Sequence, residues 1–163
     1  MAQKTSRHVV CKSMTQKHRA DAYLLLDCFL RTDTHYLATR AAYGDRGSPA
    51  LSRALQLFLR QPKLGFVWLA YIMEEPVAVC VVSYAISTSI GGVVAKVDDV
   101  YVSRRRQRRG IATQMLEDLK KELRKRNVLR IDTAVHKRNY SAAKFYSKLG
   151  FERLDEERLV LVL

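Results

Sequence analysis

Three apolar runs follow one another between residues 65 and 102: GFVWLAYI (65–72), PVAVCVVSYAI (76–86) and VVAKVDDVYV (93–102). Only Met73-Glu74-Glu75 separates the first two, and a polar loop ending in Gly91-Gly92 precedes the third. Runs of this length and composition, joined by such short breaks, predict neighbouring antiparallel strands, a meander. The longest of them, 76–86, is interrupted by Ser83 and is too short to span a bilayer. A chain of 163 residues built on this sheet can bury a sizeable core and fits one domain, residues 1–163.

Beyond the meander the period changes. Ile111, Met115, Leu116, Leu119 and Leu123 share one face of a predicted helix over 110–126. VLRIDTAV (128–135) reads as a strand, Asn139 caps a short helix over 139–149, Gly150 is its C′ residue, and two terminal strands are expected after it. The strands at 93–102 and 128–135 with the helix between them form a β-α-β unit, so they should run parallel. Before the meander, RHVVCK (7–12) reads as a short strand, and Thr15 as the N-cap of a helix through Leu30. Residues 31–47 mix polar and aromatic side chains and predict no element. Ser48-Pro49 opens an amphipathic helix with Leu51, Ala54, Leu55, Phe58 and Leu59 on one face, which Pro62 stops. The expectation is an α/β (α+β) fold: a mixed sheet of about six to seven strands, meander then β-α-β unit, with helices on both faces. No repeat, linker or low-complexity stretch interrupts it.

The net charge of +13 demands an anionic partner. Residues 104–130 hold eleven Lys or Arg against three Asp or Glu, an excess of eight. Five arginines fall in RRRQRR (104–109), directly before Gly110-Ile111-Ala112 at the start of a helix. A helix N-terminus is itself positive, and its free amides and dipole make an anion cradle. Gly110 and Ala112 would let backbone approach a phosphate closely. A plain solvated basic face is the competing reading, and KKELRKRN (120–127) fits it.

A second stretch, NYSAAKFYSKLGFE (139–152), places Asn139, Ala142, Phe145, Tyr146 and Leu149 along one short helix. Together the two stretches resemble the GNAT superfamily of N-acetyltransferases. That family's pyrophosphate motif, Gln/Arg-x-x-Gly-x-Gly/Ala, is matched by Gln107-Arg108-Arg109-Gly110-Ile111-Ala112. Its Asn-x-x-Ala-x-x-Phe/Leu-Tyr-x-x-Leu-Gly-Phe motif is matched from Asn139 to Phe151. The resemblance covers the order of elements from about Gly65 onward and the N-terminal helices only loosely. It departs in having Arg104 where a proline is frequent and Arg108 where glycine is frequent.

The resemblance implies acetyl-CoA as cosubstrate, bound by a core at about 93–151. Its pantetheine arm would pair with backbone of Val100, Tyr101 and Val102, and its pyrophosphate would sit on amides of Gln107, Arg108, Arg109, Gly110, Ile111 and Ala112, with Thr113 and Asn139 beside them. The 3′-phosphate would fall near some of the Arg or Lys groups. Tyr146 would act as general acid on the leaving thiolate, and in diamine acetyltransferases a Glu-Asp pair aligns Asp98 with a water-relayed base. The competing reading of Tyr146 is a tyrosine that satisfies a core hydrogen bond, and that of Asp98-Asp99 is a structural or substrate-clamping pair. Simple alternation puts Asp98 on the face of Val100 and Val102 with Asp99 opposite, and a β-bulge would reverse that parity.

The acceptor is expected to be a primary amine, of a small molecule or a protein, bound on the side of the N-terminal helices at about 15–61. Diamine and aminoglycoside acetyltransferases are nearest in pattern, although +13 repels a polycation at long range. The rival from another class is a nucleic-acid- or ribosome-binding basic module on a degenerate GNAT scaffold, which the intact Gly110, Ala112 and Tyr146 disfavour. A homodimer is left open. Cys11, Cys28 and Cys80 are odd in number and widely spaced, as reduced thiols in a cytoplasmic protein would be, and MAQKTSRH has no apolar run behind it. His8, His18, His35 and His136 lack metal-ligand spacing, so no metal and no membrane partner is expected.

Overall fold

Every residue of the strand Gly65–Ile72 is buried, which is why its sequence is apolar throughout instead of alternating. It lies inside a sheet covered on both faces. The computed structural model describes residues 8–163. The sheet has five strands in the order β1 (Val10–Ser13), β2 (Gly65–Ile72), β3 (Glu75–Ser87), β4 (Gly92–Val102) and β5 (Ile131–Thr133). β1 to β4 pair antiparallel, and β4 pairs β5 in parallel, as the meander and the β-α-β unit predict.

Helices α1 (Arg19–Thr32), α2 (Thr34–Thr39) and α3 (Gly47–Arg60) precede β2, α4 (Ile111–Lys125) links β4 to β5, and α5 (Tyr140–Lys148) follows β5. Leu25, Leu26, Leu51 and Leu55 of α1 and α3 pack on Val67, Leu69 and Val79 from one face. Met115, Leu116, Leu119 and Leu123 of α4, with Tyr146 of α5, pack on Trp68, Cys80 and Val97 from the other. Each fully buried Leu or Val contributes roughly 1.5–3 kcal/mol relative to exposure. Trp68 Nε1 donates to the Met115 carbonyl at 3.2 Å, tying α4 to the middle of the sheet. At Gly65 (φ +148°) a Cβ would lie 2.0 Å from the Val82 carbonyl oxygen, so only glycine lets β2 and β3 meet there.

The structure departs from expectation in four places. The sheet has five strands, not six or seven, because residues 151–163 pair with nothing. The outer edge of three-residue β5 offers few groups to pair with, and Leu159 to Leu163 is apolar at every position, so it has no polar face for water. β5 itself covers only part of 128–135, although Leu129 N still donates to Val93 O at 2.9 Å. Residues 31–47, which predict no element, hold α2, whose N-cap Asp33 accepts from the Tyr36 amide at 2.7 Å. β1 starts at Val10 and runs to Ser13 instead of covering 7–12, and Arg7 lies outside the described residues. Among the described residues no helix is long and apolar enough to cross a membrane.

Candidate active site

β4 and β5 run together for three residues only. Ala95, Lys96 and Val97 face Ile131, Asp132 and Thr133, and β4 then continues alone to Val102. The Thr133 hydroxyl donates to the Val97 carbonyl at 2.8 Å and closes the fork. Beyond it, β4 stays paired with β3 at Tyr101 and Val102 and has no neighbouring strand on its second edge from Asp98 to Val102. An extended ligand can pair there as another strand would. On the α1 side of this open half is a cleft of about 280 Å³ lined by Phe29, Asp33, Val100, Tyr101, Val102 and Arg104, among others.

The two carboxylates sit where the fork opens. Val81 pairs with Asp98 and Val79 with Tyr101, so β4 spends one extra residue against Cys80: a β-bulge. Asp99 takes φ +52°, a left-handed conformation that a non-glycine residue rarely adopts. The bulge reverses the parity. Ala95 and Val97 face α4 before it, and Val100 and Val102 do so after it, with Tyr101 turned to α1. The simple alternation that put Asp98 on the face of Val100 and Val102 therefore fails. Asp98 shares its face with Lys96 and is ion-paired to it at 2.7 Å. Asp99 has its carboxyl pushed up to about 6, first by burial and then by Asp98, against the pull of Lys96 and Arg158.

Tyr146 is 9% exposed, with its ring edge-on to Phe145 and Phe151, each 5.2 Å between centroids. Burial pushes its hydroxyl up to about 12, opposed by a hydrogen bond with Thr133 and reinforced by Cys80, Asp98 and Asp99. It is a neutral phenol across the physiological range, able to donate. Tyr146, Thr133 and the Asp98-Asp99 bulge thus converge on the mouth of the fork from α5, β5 and β4.

The arginine run forms a single-turn 3₁₀ helix at Arg104–Arg106 and then the approach to α4. Arg106 is clamped to Glu75, and Gln107 Nε2 donates to the Val102 carbonyl at 3.0 Å, which anchors the loop to the end of β4. Arg108 (φ +58°) and Gly110 (φ +76°) are both left-handed, and Gly110 is the N-cap. A Cβ at Gly110 would meet nothing within 4 Å, so the space in front of the loop is open. Among the described residues the amides of Arg108 to Thr113 donate to no protein acceptor. Ile111 is buried and fixes the first turn, Ala112 is half-buried, and Arg109 and Thr113 are exposed. Bare amides, open space and surrounding guanidinium groups fit a pyrophosphate. Asn139 caps α5, its Oδ1 accepting from the Ala142 amide at 3.0 Å, so this side chain is engaged within the protein.

Several further residues surround the site. Thr133 bridges Tyr146 to β4. Asp33 adds a negative charge near Asp99, and Tyr36 on α2 has its hydroxyl pushed up to about 12 by burial and Asp45. His35 and His136 lie ring to ring at 5.0 Å. Arg158, on the terminal segment, lies over Tyr43 at 5.2 Å and reaches Asp99 electrostatically. Only Asp33 had a local signal, an Asp directly before a helix. Among the described residues no group of three or more His, Cys, Asp or Glu is placed to hold a metal.

A model of the acetyltransferase (GNAT) family matches residues 21–151 of this chain. No curated protein matches it in sequence. Solved structures share its fold. A ribosomal-protein-alanine N-acetyltransferase from Brucella melitensis biovar Abortus 2308 is 14% identical, with a TM-score of 0.73, 96% of this chain covered and 99% of that one. A structure described as a predicted acetyltransferase with acetyl-CoA, from Clostridium acetobutylicum, is 20% identical, with a TM-score of 0.68 and coverage of 94% and 96%. AAC(6')-Iy in complex with the bisubstrate analog CoA-S-monomethyl-acetylneamine is 15% identical, with a TM-score of 0.70 and coverage of 96% and 97%.

Proposed function

The chain belongs to the GNAT acetyltransferase family, and from that premise we propose that it transfers the acetyl group of acetyl-CoA to a primary amine by direct attack. The observation that carries this reading is the fork itself: an open β4 edge, a buried phenol and a carboxylate pair meet where β5 ends. One domain spans residues 1–163, with 93–151 as the acetyl-CoA core and α1 to α3 on the acceptor side. The β4 backbone from Val100 to Val102 would hold the pantetheine arm, and the amides from Arg108 to Thr113 the pyrophosphate, the Gln107 amide being bonded to the Arg104 carbonyl.

An amine of pKa near ~10 arrives protonated and must lose a proton before it attacks. We assign that proton to Asp99, through a water, in preference to Asp98, because Asp98 is already held by Lys96 at 2.7 Å. The C–N bond forms as the C–S bond breaks, and Tyr146 gives its proton to the leaving sulfur, a general-acid step of ~100-fold or more. The attacking nitrogen sheds its second proton to solvent as the amide forms, Tyr146 regains a proton from solvent, and Asp99 releases the first one. One structural neighbour is described as a ribosomal-protein-alanine N-acetyltransferase and another holds a CoA–acetylneamine bisubstrate analog, so protein amines and amino-sugar amines both belong in the acceptor panel. The test is thiol release from acetyl-CoA with that panel, preceded by a melting curve. At ~100 times the dissociation constant acetyl-CoA should stabilise the fold by about 2.7 kcal/mol. No stabilisation at millimolar acetyl-CoA overturns the enzyme reading, and stabilisation with thiol release to hydroxyl acceptors alone overturns the amine.

A further inference from the structure

Acetyl transfer leaves most of the positive charge unused. In the collar before α4, Arg104, Arg105, Arg108 and Arg109 are exposed, and none has a carboxylate partner among the described residues. Across the fork, Arg138, Lys144 and Lys148 on and before α5 are exposed and equally unpaired. The two groups leave the same end of the sheet: β4 and β5 are parallel neighbours, the collar follows the C-terminal end of β4, and Arg138 and α5 follow the C-terminal end of β5. A CoA thioester brings one pyrophosphate and one phosphate monoester, roughly four negative charges at neutral pH. Seven unpaired cations exceed that, and all four in the collar are arginines, whose planar fork matches phosphate oxygens.

A second observation is independent of charge. Tyr140, in the first turn of α5 between Arg138 and Lys144, is 78% exposed. An aromatic ring displayed among guanidinium and ammonium groups does no packing work here and suits an unpaired base, which stacks on it. A membrane would need more apolar area. Between Ser103 and Phe151 only Leu129 and Tyr140 are exposed large hydrophobic residues. An acidic peptide would use the charges and leave Tyr140 without a partner.

We propose that the collar and α5 form a docking surface for single-stranded RNA, additional to the acetyl-transfer site and sharing its rim. The surface does not depend on which amine is acetylated. The probe is an unstructured, labelled RNA of about 20 nucleotides, followed by anisotropy against salt. Binding should be micromolar or tighter at ~0.1 M salt and weaken with a log–log slope of about −0.7 for each phosphate contacted, −3 to −5 in all. A triple variant, Arg105→Glu with Arg138→Glu and Lys148→Glu, should weaken RNA binding at least ~30-fold and flatten the slope by about 2, while melting with the wild type. Tyr140→Ala should cost ~5- to 10-fold on single-stranded RNA and little on a duplex, with acetyl-CoA affinity unchanged. The proposal is overturned if RNA fails to bind at that salt, or if both variants bind it like the wild type. It also fails if polyglutamate or phosphatidylserine vesicles bind as tightly as RNA, or if Tyr140→Ala is silent on single strands.

Discussion

The two halves of β4 do different work. From Ala95 to Val97 the strand is bonded on both edges, and Ala95 and Val97 are buried in the core. From Asp98 to Val102 it loses β5, gains a bulge and a left-handed residue, and carries two carboxylates. On the function proposed above the first half is scaffold and the second is site, although they share one backbone. A strand becomes functional where a neighbour leaves it, because its amides and carbonyls then need a new partner. Substitutions in the open half should therefore change ligand handling, and those in the closed half should change stability.

The largest expected effect is at the end of the open half. Gly110→Glu puts bulk and negative charge where phosphate oxygens should meet backbone, at a left-handed residue. Acetyl-CoA affinity should fall by more than ~100-fold, about 2.7 kcal/mol or more. Calorimetric titration checks this, and normal binding would show that the cradle is elsewhere. Tyr146→Phe is next. It should lower kcat ~100-fold and leave acetyl-CoA affinity nearly intact, whereas a merely structural tyrosine would lose about 1 kcal/mol of stability and keep its turnover. Measuring the acetyl-transfer step before steady state prevents slow product release from hiding the effect.

Asp99→Asn should separate catalysis from stability. The carboxyl is raised from 3.8 to about 6 in the folded chain, with burial the leading cause. The unfolded chain therefore ionises first, so stability falls as pH rises from about 4 to about 6 and levels off above. Removing the charge should stabilise the protein by about 2 to 3 kcal/mol at pH 7 and by almost nothing below pH 4. Activity should disappear with it, and the wild-type kcat/KM should rise through an inflection near pH 6. Equal stability of the two proteins at pH 7 would show that Asp99 is not held as described. The smallest effects are in the aliphatic pair. Val97→Ala, 1% exposed in the closed half, should cost about 2 kcal/mol without moving acetyl-CoA affinity. Val100→Ala, half-buried in the open half, should cost less than about 1 kcal/mol and weaken binding instead. The opposite pattern in denaturation and titration would erase the distinction between the halves.

Local signals carried the sheet order and the two ligand motifs. Apolar runs with three-residue or glycine-containing breaks specify a meander because strand and turn preferences act over a few residues. The i, i+4 face of α4 and its glycine start specify a helix with a bare N-terminus, since the unbonded amides there are the helix's own. Tyr146 was legible by its place in a motif on one short helix. The rest depended on residues far apart in the chain. The fork opens after Thr133 because β5 diverges from β4, and the bulge at Asp99 arises from pairing with Val79 and Val81. The Asp99 carboxyl is pushed up to about 6 because the fold buries it and sets Asp98 and Asp33 near it, against the opposing pull of Lys96 and Arg158. The missing terminal strands follow from a partner edge only three residues long. Periodicity and motif spacing are properties of consecutive residues. Strand pairing, burial and the field at a carboxylate are sums over neighbours that only the folded chain assembles.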